Sequence, residues 1–362
     1  MSLSYTYFLF FLSIILCPRA IQAVDQEYAA KVVKDALSLP GTVTAQVLKG
    51  GNSGAQLFTV TSDSKKYVIR FLHRKKKYYR EQEINCLKIA SREGYGPHIY
   101  YANIDQGVVI MDFLVRQNIS FEQRTSDRFY KSLAHLLQKI HRGKKYKEKR
   151  TVFNTIQDIR RQMRSIKSHC NEHVPLVKLE HILDAVYHAL PCSMYTSCHN
   201  DLHPNNVMFL GNDFKAVDYE VAALSDPHFD IATVTLFYCI DHEYEKVLLE
   251  TYFDRQPSLQ ENARLYLIKQ ATLIMYAIRS LGSVTGMLNT YEQLQVPFYD
   301  GWNDFLKKFL QERAKGNLRN RAYNLTFAKV LINRVIANFE SCEFKNAVSV
   351  IAQTKSVDNH SH

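Results

Sequence analysis

Short hydrophobic runs, separated by clusters of Gly, Pro, Asn and Ser, occupy the N-terminal part of the chain. An amphipathic helix is predicted over residues 27–39, because apolar residues recur there with helical spacing and Pro40-Gly41 follows. Runs of β-branched and aromatic residues bounded by turn-forming clusters predict strands. The predicted strands cover residues 43–48, 57–60, 66–71, 99–102 and 107–111. Together these segments indicate a small antiparallel β unit.

The rest of the chain has mainly the periodicity of helices. A helix is predicted to follow the third strand and to end at Gly94-Tyr95-Gly96-Pro97. Leu133, Leu137 and Ile140 recur at helical spacing and predict another. Further helices are predicted over residues 153–170, 174–190, 229–255, 258–285, 290–313 and 324–341. The polar tail, residues 346–362, is predicted to be disordered.

A predicted hairpin interrupts this helical pattern. The apolar runs 207–210 and 214–217 are separated by Gly-Asn-Asp, which is typical of a β-turn between two strands. Asp201 and Asn206 lie on the loop that enters the hairpin, and Asp218 lies at its exit. Because a hairpin brings its two ends to one edge, we expect these three oxygen-bearing side chains to converge.

Such a convergence suits phosphoryl transfer from a magnesium nucleotide. That reaction needs a carboxylate to orient the attacking hydroxyl, and hard oxygen ligands for Mg²⁺. His199, Asp201 and Asn206 have the spacing H-x-D-x-x-x-x-N of a kinase catalytic loop. We therefore predict Asp201 as the catalytic base, and Asn206 and Asp218 as ligands of Mg²⁺. The alternative is that Asp201 and Asn206 form turns and that Asp218 ends a strand.

The motifs of this region resemble a known group of enzymes. The segments are His-Asn-Asp-Leu-His-Pro-Asn-Asn at 199–206, Asp-Tyr-Glu at 218–220 and Asp-Pro-His-Phe-Asp-Ile-Ala at 226–232. They are similar to those of the choline/ethanolamine kinase and aminoglycoside phosphotransferase superfamily, and closer to the choline kinase side. The resemblance covers residues from about 40 to about 310. It implies an ATP-dependent enzyme that phosphorylates a hydroxyl of a small molecule.

The resemblance also implies a fold class and a domain organisation. The expected fold is α+β and bilobal, like that of protein kinases, with a small antiparallel β N-lobe and a large, mainly helical C-lobe. Residues 24–113 would form the nucleotide-binding N-lobe. Residues 114–345 would form the C-lobe, with the catalytic and substrate-binding residues.

Several residues are predicted to bind ATP. The sequence Gly51-Asn52-Ser53-Gly54 lies between two predicted strands, where glycines let backbone N–H groups approach phosphate oxygens. Arg70 stands where kinases carry a lysine for the phosphates, and Glu83 is its predicted partner. The segment Met111-Asp112-Phe113-Leu114 would be the hinge, where backbone groups hold adenine and Asp112 and Leu114 are predicted cofactor contacts. The alternative for the glycine-rich segment is an ordinary hairpin turn. The alternative for Arg70 is a surface arginine on an edge strand, and the alternative for Glu83 is a place on a solvated helix face.

Other residues have predicted roles around the catalytic loop. The resemblance implies that Asp230 accepts hydrogen bonds from the loop backbone, and we assign structural support to His199 as well. His203 is predicted to support the loop or to contact phosphate. Glu220 is a candidate second carboxylate near the site or a partner for a cationic substrate, and Tyr276 is a candidate substrate contact.

The acceptor substrate is less well defined than the reaction. Choline kinases place tryptophans on a late helix, where aromatic rings bind a quaternary ammonium group. The corresponding stretch, residues 276–283, has no tryptophan, and its Arg279 would repel a cation if it faced the pocket. The candidate acceptors are therefore choline or ethanolamine, thiamine, an aminoglycoside and other small alcohols. A nucleotide-binding pseudoenzyme or exported interaction protein is the alternative from another class, whereas a protein kinase would need D-F-G and A-P-E segments.

Composition adds limits on partners. The 362-residue chain is 46% hydrophobic and carries a formal net charge of +11, which favours anionic partners such as nucleotides. No nucleic-acid-binding motif is present, so nucleic acid is not an expected partner. The basic run at 73–80 is interpreted as solvated surface, with a membrane surface or an anionic substrate as the alternative partner. The oligomeric state is not predicted.

The first 23 residues resemble a secretory leader. An apolar stretch at 7–16 is too short for a confident membrane span and precedes Cys17-Pro18. This predicts a secreted or membrane-tethered protein, with a cytoplasmic protein as the alternative, because ATP is scarce outside cells. None of the seven cysteines forms C-x-x-C, so a zinc site is not expected. Cys192 and Cys198 would be the nearest pair for a disulfide.

Overall fold

The structure, a computed structural model, describes most of the chain. The described residues are 24–48, 55–63, 65–72, 76–169, 174–190, 195–239, 241–292 and 321–358. Four predictions therefore lie wholly or mostly outside the described residues. They are the leader at 1–23, the phosphate loop Gly51–Gly54, the helix at 290–313 and a disulfide at Cys192.

The chain forms two compact units. Of the described residues, those up to residue 72 and residues 100–113 form the first unit, and residues 76–99 and those from 114 onward form the second. The predicted N-lobe, residues 24–113, includes residues 76–99, which group by their contacts with the second unit; the predicted lobe bounds stay a prediction. Within the second unit, Gln82 Nε2 donates to the carbonyl of Ala222 at 3.1 Å, and Cys86 Sγ lies 3.7 Å from the same oxygen.

The first unit is a helix packed on an antiparallel sheet. Helix α1 covers Gln26–Leu37, and the sheet has the strand order β1-β2-β3-β5-β4. The strands are β1 Val43–Val47, β2 Gln56–Ser62, β3 Lys65–Phe71, β4 Ile99–Asn103 and β5 Val108–Asp112. The buried face of α1, with Ala29 and Val33, packs against inward residues of the sheet such as Phe58, Ile69 and Ile110. The core is thus built from the residues whose period predicted these elements.

The second unit is mainly helical. Its described helices are α2 Lys77–Arg92, α3 Phe121–Arg124, α4 Asp127–Arg142, α5 Val152–Lys167, α6 Leu176–Ala189, α7 Pro227–Tyr238, α8 His242–Phe253, α9 Leu259–Gly282, α10 Arg321–Glu340 and α11 Cys342–Asp358. A short 3₁₀ helix, Thr285–Thr290, follows α9.

Two sequence predictions differ from these helices. The single helix predicted over 229–255 is two helices, because the Asp241 side chain caps the N-terminus of α8 by accepting from the Tyr244 N–H. The disordered tail predicted from residue 346 is wrong as far as residue 358, which ends α11. Phe344, Ala347 and Ile351 are buried at helical spacing, so this segment has an apolar face that packs.

Helices α7 and α9 form the centre of the second unit. Every residue of α7 is buried, and α9 packs against α5, α6, α7, α10 and α11. A helix that is apolar on all sides is expected in such a position. The N-terminus of α9 is fixed by a capping box between Ser258 and Glu261. Packing against these five helices along its length holds α9 in position.

Among the described residues, the structure contains no helix with the length and apolar character required to cross a bilayer.

Candidate active site

Two antiparallel strand pairs hold the catalytic motifs. Strand β6, Thr196–Cys198, pairs with β9, Ala223–Ser225, and β7, Val207–Phe209, pairs with β8, Phe214–Ala216. The segment 199–206 connects the end of β6 to the start of β7. The segment 217–222 connects the end of β8 to the start of β9. Cys198 pairs with Ala223, and Val207 pairs with Ala216. Each end of one connecting segment therefore lies beside an end of the other. The predicted hairpin is present.

Hydrogen bonds also join the two segments between their ends. The Val217 N–H donates to the Asn206 carbonyl at 2.9 Å, and His199 Nε2 donates to the Val217 carbonyl at 3.0 Å. Asn200 and Asp218, one in each segment, have positive φ angles of 62° and 67°. Residues other than glycine adopt this conformation rarely, and Asn and Asp tolerate it best. The backbone on both sides of the site is therefore fixed in an uncommon conformation of the kind found at functional sites.

Asp230, in the first turn of α7, holds the start of the catalytic loop. Its carboxylate accepts from the His199 N–H at 2.7 Å and from the Asn200 N–H at 2.6 Å. The side chain is 0% exposed, and His141 Nε2 lies 3.2 Å from Oδ2. Tyr252 in turn contacts His141 Nδ1 at 2.8 Å. These are the backbone contacts that the resemblance implied for Asp230.

The same region contains a cluster that could be mistaken for a metal site. Ligand atoms of His141, Cys198 and Asp230 lie within 4.8 Å of one another. Each already has a partner, since Cys198 Sγ lies 3.4 Å from the Ser225 carbonyl and the other two form the contacts just described. Burial raises the pKa of the Cys198 thiol well above its usual value, so the thiolate that a metal requires is disfavoured. We interpret the cluster as structural support.

The carboxylate of Asp201 is surrounded by donors. Oδ1 accepts from Tyr276 Oη at 3.0 Å and from the guanidinium of Arg279 at 2.9 Å. Oδ2 has longer contacts, 3.3 Å to Asn206 Nδ2 and 3.5 Å to His203 Nε2. The two oxygens thus differ, because the short contacts all lie on Oδ1.

These donors determine the ionisation of Asp201. Burial alone would raise the pKa of this carboxyl, but the positive charge of Arg279, followed by the electrostatic interactions with His203 and His199, lowers it. The hydrogen bond from Tyr276 acts in the same direction. The balance leaves the pKa below its ordinary value. Asp201 is therefore an ionised carboxylate at neutral pH, able to accept a hydrogen bond from a hydroxyl.

The side chains at the hairpin entrance and exit suit a hard cation. Asn206 is buried, and its Nδ2 donates to the Asp201 backbone carbonyl at 3.0 Å and approaches Oδ2. This orientation leaves the amide oxygen as the ligand atom that Asn206 would present. Asp218 follows Val217, whose backbone N–H donates to the Asn206 carbonyl, so Asp218 and Asn206 lie on two segments that are hydrogen-bonded to each other. An amide oxygen and a carboxylate are appropriate ligands for Mg²⁺.

The predicted nucleotide residues are divided between the two units. Arg70 is 4% exposed on β3, a central strand that pairs with both β2 and β5, so the edge-strand alternative is wrong. Glu83 is 2% exposed on α2, so it does not lie on a solvated helix face. Asp112 ends β5 and accepts from Tyr100 Oη at 2.5 Å, and Leu114 begins the second unit. The Arg70–Glu83 pair and the hinge stay predictions.

The structure assigns further positions around Asp201. His203 is partly buried, and its Nδ1 accepts from the Asn205 N–H at 3.1 Å, which stabilises the loop. Glu220 is partly buried, and its charge contributes to raising the pKa of Arg279. Tyr276 donates to Asp201 Oδ1 at 3.0 Å, and its predicted role as a substrate contact stays a prediction.

Sequence reasoning missed two contacts of this site. Arg279 was recognised only as a residue that could repel a cation, and His141 was assigned no role. Tyr276 and Arg279 are three positions apart on α9 and so share one face. The spacing of Tyr276 and Arg279 could have indicated that both face the same site. In contrast, no feature of the sequence near His141 connects it to Asp230.

This site and fold define the class of the protein. A small antiparallel sheet, a large helical unit, and a hairpin that joins an Asp, an Asn and a second Asp are the features of small-molecule kinases with a protein-kinase-like, bilobal α+β fold. Comparison with known proteins identifies the family. The choline/ethanolamine kinase family model matches residues 45–317, more than half of the chain. The chain belongs to the choline/ethanolamine kinase family.

Individual relatives are distant. A protein LicA homolog of Mycoplasma capricolum is 28% identical over 127 residues, which are 34% of this chain and 50% of the relative. The chain thus spans about half the length of this curated relative.

Solved structures resemble the chain over more of its length. A choline/ethanolamine kinase family protein from Mesorhizobium loti has a TM-score of 0.60 at 16% identity, covering 89% of this chain and 98% of that one. Spectinomycin phosphotransferase, solved with ADP and spectinomycin, has a TM-score of 0.58 at 14% identity, covering 88% and 99%. At these identities the likeness establishes the fold.

Proposed function

We propose that the protein transfers the γ-phosphoryl group of ATP to a hydroxyl of a small molecule, with Mg²⁺ bound at Asn206 and Asp218. The observation that carries the proposal is the position of the Asp201 carboxylate, which lies 3.3 Å from the amide nitrogen of Asn206 on a loop whose backbone is bound by Asp230. Membership in the choline/ethanolamine kinase family supports the reaction class. The ADP in the related spectinomycin phosphotransferase supports ATP as the donor.

The proposed step is a direct displacement at phosphorus. The acceptor oxygen forms a bond to the γ-phosphorus of ATP while the bond from that phosphorus to the β-γ bridging oxygen breaks, and ADP leaves. The acceptor proton passes to Asp201. We assign it to Oδ2, because the contacts of this oxygen, at 3.3 and 3.5 Å, are longer than those of Oδ1 and are more easily replaced by a hydroxyl.

The bound Mg²⁺ would neutralise charge on the phosphates as the bond breaks. The protein contributes orientation. Asp230 fixes the backbone of His199 and Asn200, and this holds the next residue, Asp201, in place. His203 Nδ1 accepts from the Asn205 N–H, so the N–H of this ring lies on Nε2, which is 3.5 Å from Oδ2, the oxygen that receives the proton.

Choline and ethanolamine are the acceptors that family membership favours. Thiamine and aminoglycosides are the alternatives within the superfamily. A second function also has a specific observation in its favour. Both oxygens of Asp201 already have partners within the protein, and a carboxylate held in this way would suit a nucleotide-binding pseudoenzyme that does not turn over.

A turnover assay separates these functions. The purified protein is incubated with ATP and Mg²⁺, and ADP release is measured with a panel of small alcohols that includes choline, ethanolamine, thiamine and an aminoglycoside. The proposal expects release that depends on one acceptor and falls by about a thousandfold or more in Asp201→Ala, because orientation and proton transfer are both lost.

The matched control is Asp213→Ala, which removes an exposed carboxylate from the hairpin turn and should leave turnover unchanged. Nucleotide binding without acceptor-dependent ADP release would favour the pseudoenzyme. Full turnover in Asp201→Ala would overturn the assignment of the base.

A further inference from the structure

Two basic segments that are distant in sequence lie side by side on the second unit. The first, residues 76–81, begins α2, and the second, residues 144–150, follows α4. The hydroxyl of Tyr78 in the first segment donates to the carboxylate of Glu148 in the second, across 70 positions of sequence. The exposed side of these two segments is called the basic surface below.

The backbone of the second segment is held by the strand pair that flanks the catalytic loop. The Leu224 N–H of β9 donates to the Glu148 carbonyl at 2.6 Å, and the Arg150 N–H donates to the Leu224 carbonyl at 2.8 Å. On β6, the hydroxyl of Ser197 accepts from the Tyr146 N–H at 2.9 Å. Because the backbone is ordered before any partner arrives, binding through this segment has a smaller entropy cost.

Exposed and inward side chains alternate along the second segment, as they do in a strand. Tyr146 is 2% exposed, and its hydroxyl lies 3.2 Å from that of Tyr95, which follows α2. Glu148 is partly buried. The residues between and beside these two inward positions are lysines, and they point outward. The exposed lysines of the two segments are Lys76, Lys77, Lys144, Lys145, Lys147 and Lys149.

Much of the positive charge of the chain is concentrated on this surface. The two segments hold eight basic and two acidic side chains, and this excess of six is more than half of the formal net charge of +11. One of the two carboxylates, Glu148, already accepts from Tyr78. A concentration of like charges on one ordered face produces a positive potential, which attracts an extended anionic surface.

We infer that the basic surface binds the anionic headgroups of a phospholipid membrane. Aromatic rings accompany the lysines: Tyr78 is 48% exposed, and Lys149 Nζ lies 3.7 Å from the centroid of the Tyr195 ring. Flexible lysines beside amphipathic tyrosine rings are typical of protein surfaces that contact lipid headgroups. Nucleic acid is less well matched, because the sequence contains no nucleic-acid-binding motif. The inference goes beyond the proposed function, since it requires neither ATP nor an acceptor.

Sedimentation with vesicles tests this inference on the full chain. The vesicles contain phosphatidylcholine alone or about one-third phosphatidylserine. In sodium chloride at about 0.1 M, the protein should bind the vesicles with phosphatidylserine about tenfold or more tightly, and this difference should disappear at about 0.5 M. The apolar stretch at 7–16 contributes alike to both kinds of vesicle, so the difference between them reports on charge.

Lysine variants connect the binding to the two segments. A lysine near an anionic membrane contributes about fivefold to the affinity. A double variant, with Lys76→Gln and Lys77→Gln, should therefore weaken binding to the phosphatidylserine vesicles by about fivefold or more. A quadruple variant should weaken it by about tenfold or more. The quadruple variant replaces by glutamine the lysines Lys144, Lys145, Lys147 and Lys149.

The matched control removes the same charge from four other helices. It replaces by glutamine the exposed lysines Lys31, Lys131, Lys246 and Lys345. This control should bind the vesicles within about twofold of the unaltered protein, because only its distant, screened charges have changed. Urea unfolding should give the same midpoint for all variants, since the replaced side chains are exposed.

Four results would each overturn the inference. They are equal binding to the two kinds of vesicle, unchanged binding in either lysine variant, an equal loss in the control, and binding that persists at high salt. A single-stranded oligonucleotide provides the remaining comparison. If it binds more tightly than the phosphatidylserine vesicles and loses affinity in the same variants, the basic surface belongs to nucleic acid and the inference is wrong.

Discussion

Replacement of Asp230 by Asn tests whether one buried carboxylate holds the catalytic loop. Oδ1 accepts from the Asn200 N–H, whereas Oδ2 accepts from the His199 N–H and lies near His141. An asparagine side chain keeps the shape but has only one acceptor oxygen. The least costly orientation keeps that oxygen on the side of His199 and turns the amide NH₂ toward the Asn200 N–H, so two donors face each other.

The cost follows from burial. The side chain of Asp230 is fully buried, so water cannot replace the missing acceptor. Loss of one hydrogen bond to a charged group costs about 1.5–3 kcal/mol, and the N–H left unpaired in the interior adds about 1–3 kcal/mol. We therefore expect Asp230→Asn to lower the free energy of unfolding by about 3–5 kcal/mol.

Urea unfolding measures this loss as a lower midpoint at an unchanged slope. Hydrogen exchange provides a local measurement, because the amides of His199 and Asn200 should exchange faster in the variant than in the unaltered protein. Turnover should fall as well, since Asp201 is displaced with the loop. A loss of stability below about 1 kcal/mol together with unchanged exchange at these two amides would refute the reasoning.

Three further predictions concern other parts of the second unit. Tyr276→Phe removes a hydrogen bond to the Asp201 carboxylate and so raises its pKa; we expect the acidic limb of the kcat/KM profile to move to higher pH. Glu261 forms the capping box of α9 with Ser258 and also pairs with Arg255. The hydrogen bond from Arg255 is the main cause that lowers the pKa of Glu261 from 4.5 to about 2. The ionised Glu261 therefore contributes its full stabilisation above pH 4.5, and this contribution is lost as the pH falls to about 2. After allowance for solvent screening, Glu261→Gln should lower the free energy of unfolding, measured with urea, by about 1–2 kcal/mol at pH 7 and by almost nothing at pH 2. Asp218→Asn should raise the Mg²⁺ concentration required for half-maximal turnover by about tenfold or more.

Matched variants control these experiments. Tyr266→Phe removes a hydroxyl from the same helix as Tyr276, far from the base and near Asn338, and should leave the pH profile in place. Asp213→Asn removes a charge in the hairpin turn and should leave the Mg²⁺ requirement unchanged. An unmoved acidic limb in Tyr276→Phe would mean that this hydroxyl does not act on Asp201. A pH-independent cost of Glu261→Gln would attribute its effect to helix capping alone. An unaltered Mg²⁺ requirement in Asp218→Asn would remove this residue from the metal site.

Local patterns were sufficient for the elements that carry the motifs. The apolar runs at 207–210 and 214–217 predicted the hairpin, and the observed strands Val207–Phe209 and Phe214–Ala216 lie within them. Turn residues between two short runs determine such a structure within about ten residues of sequence, so no distant contact had to be foreseen. The five strands of the first unit were predictable for the same reason.

Predictions failed where distant residues decide the structure. The tail was judged disordered from its polar composition, but a few buried residues of α11 pack against α9. The predicted N-lobe takes in the segment 76–99 together with the strands that flank it in sequence. Gln82 and Cys86 of this segment contact the carbonyl of Ala222, which is more than 130 positions away. Neither packing partner can be read from the periodicity of the segment itself.

The same distinction applies to the candidate site. The groups proposed to carry out phosphotransfer, Asp201, Asn206 and Asp218, lie within one short stretch and could be recognised by their spacing. Arg279, which donates to Asp201, belongs to α9 and meets the loop only in the folded chain. Because the charge of Arg279 lowers the pKa of Asp201, a change at this position would raise that pKa. The basicity of Asp201 therefore depends on a residue outside the motif, and the motif alone cannot specify it.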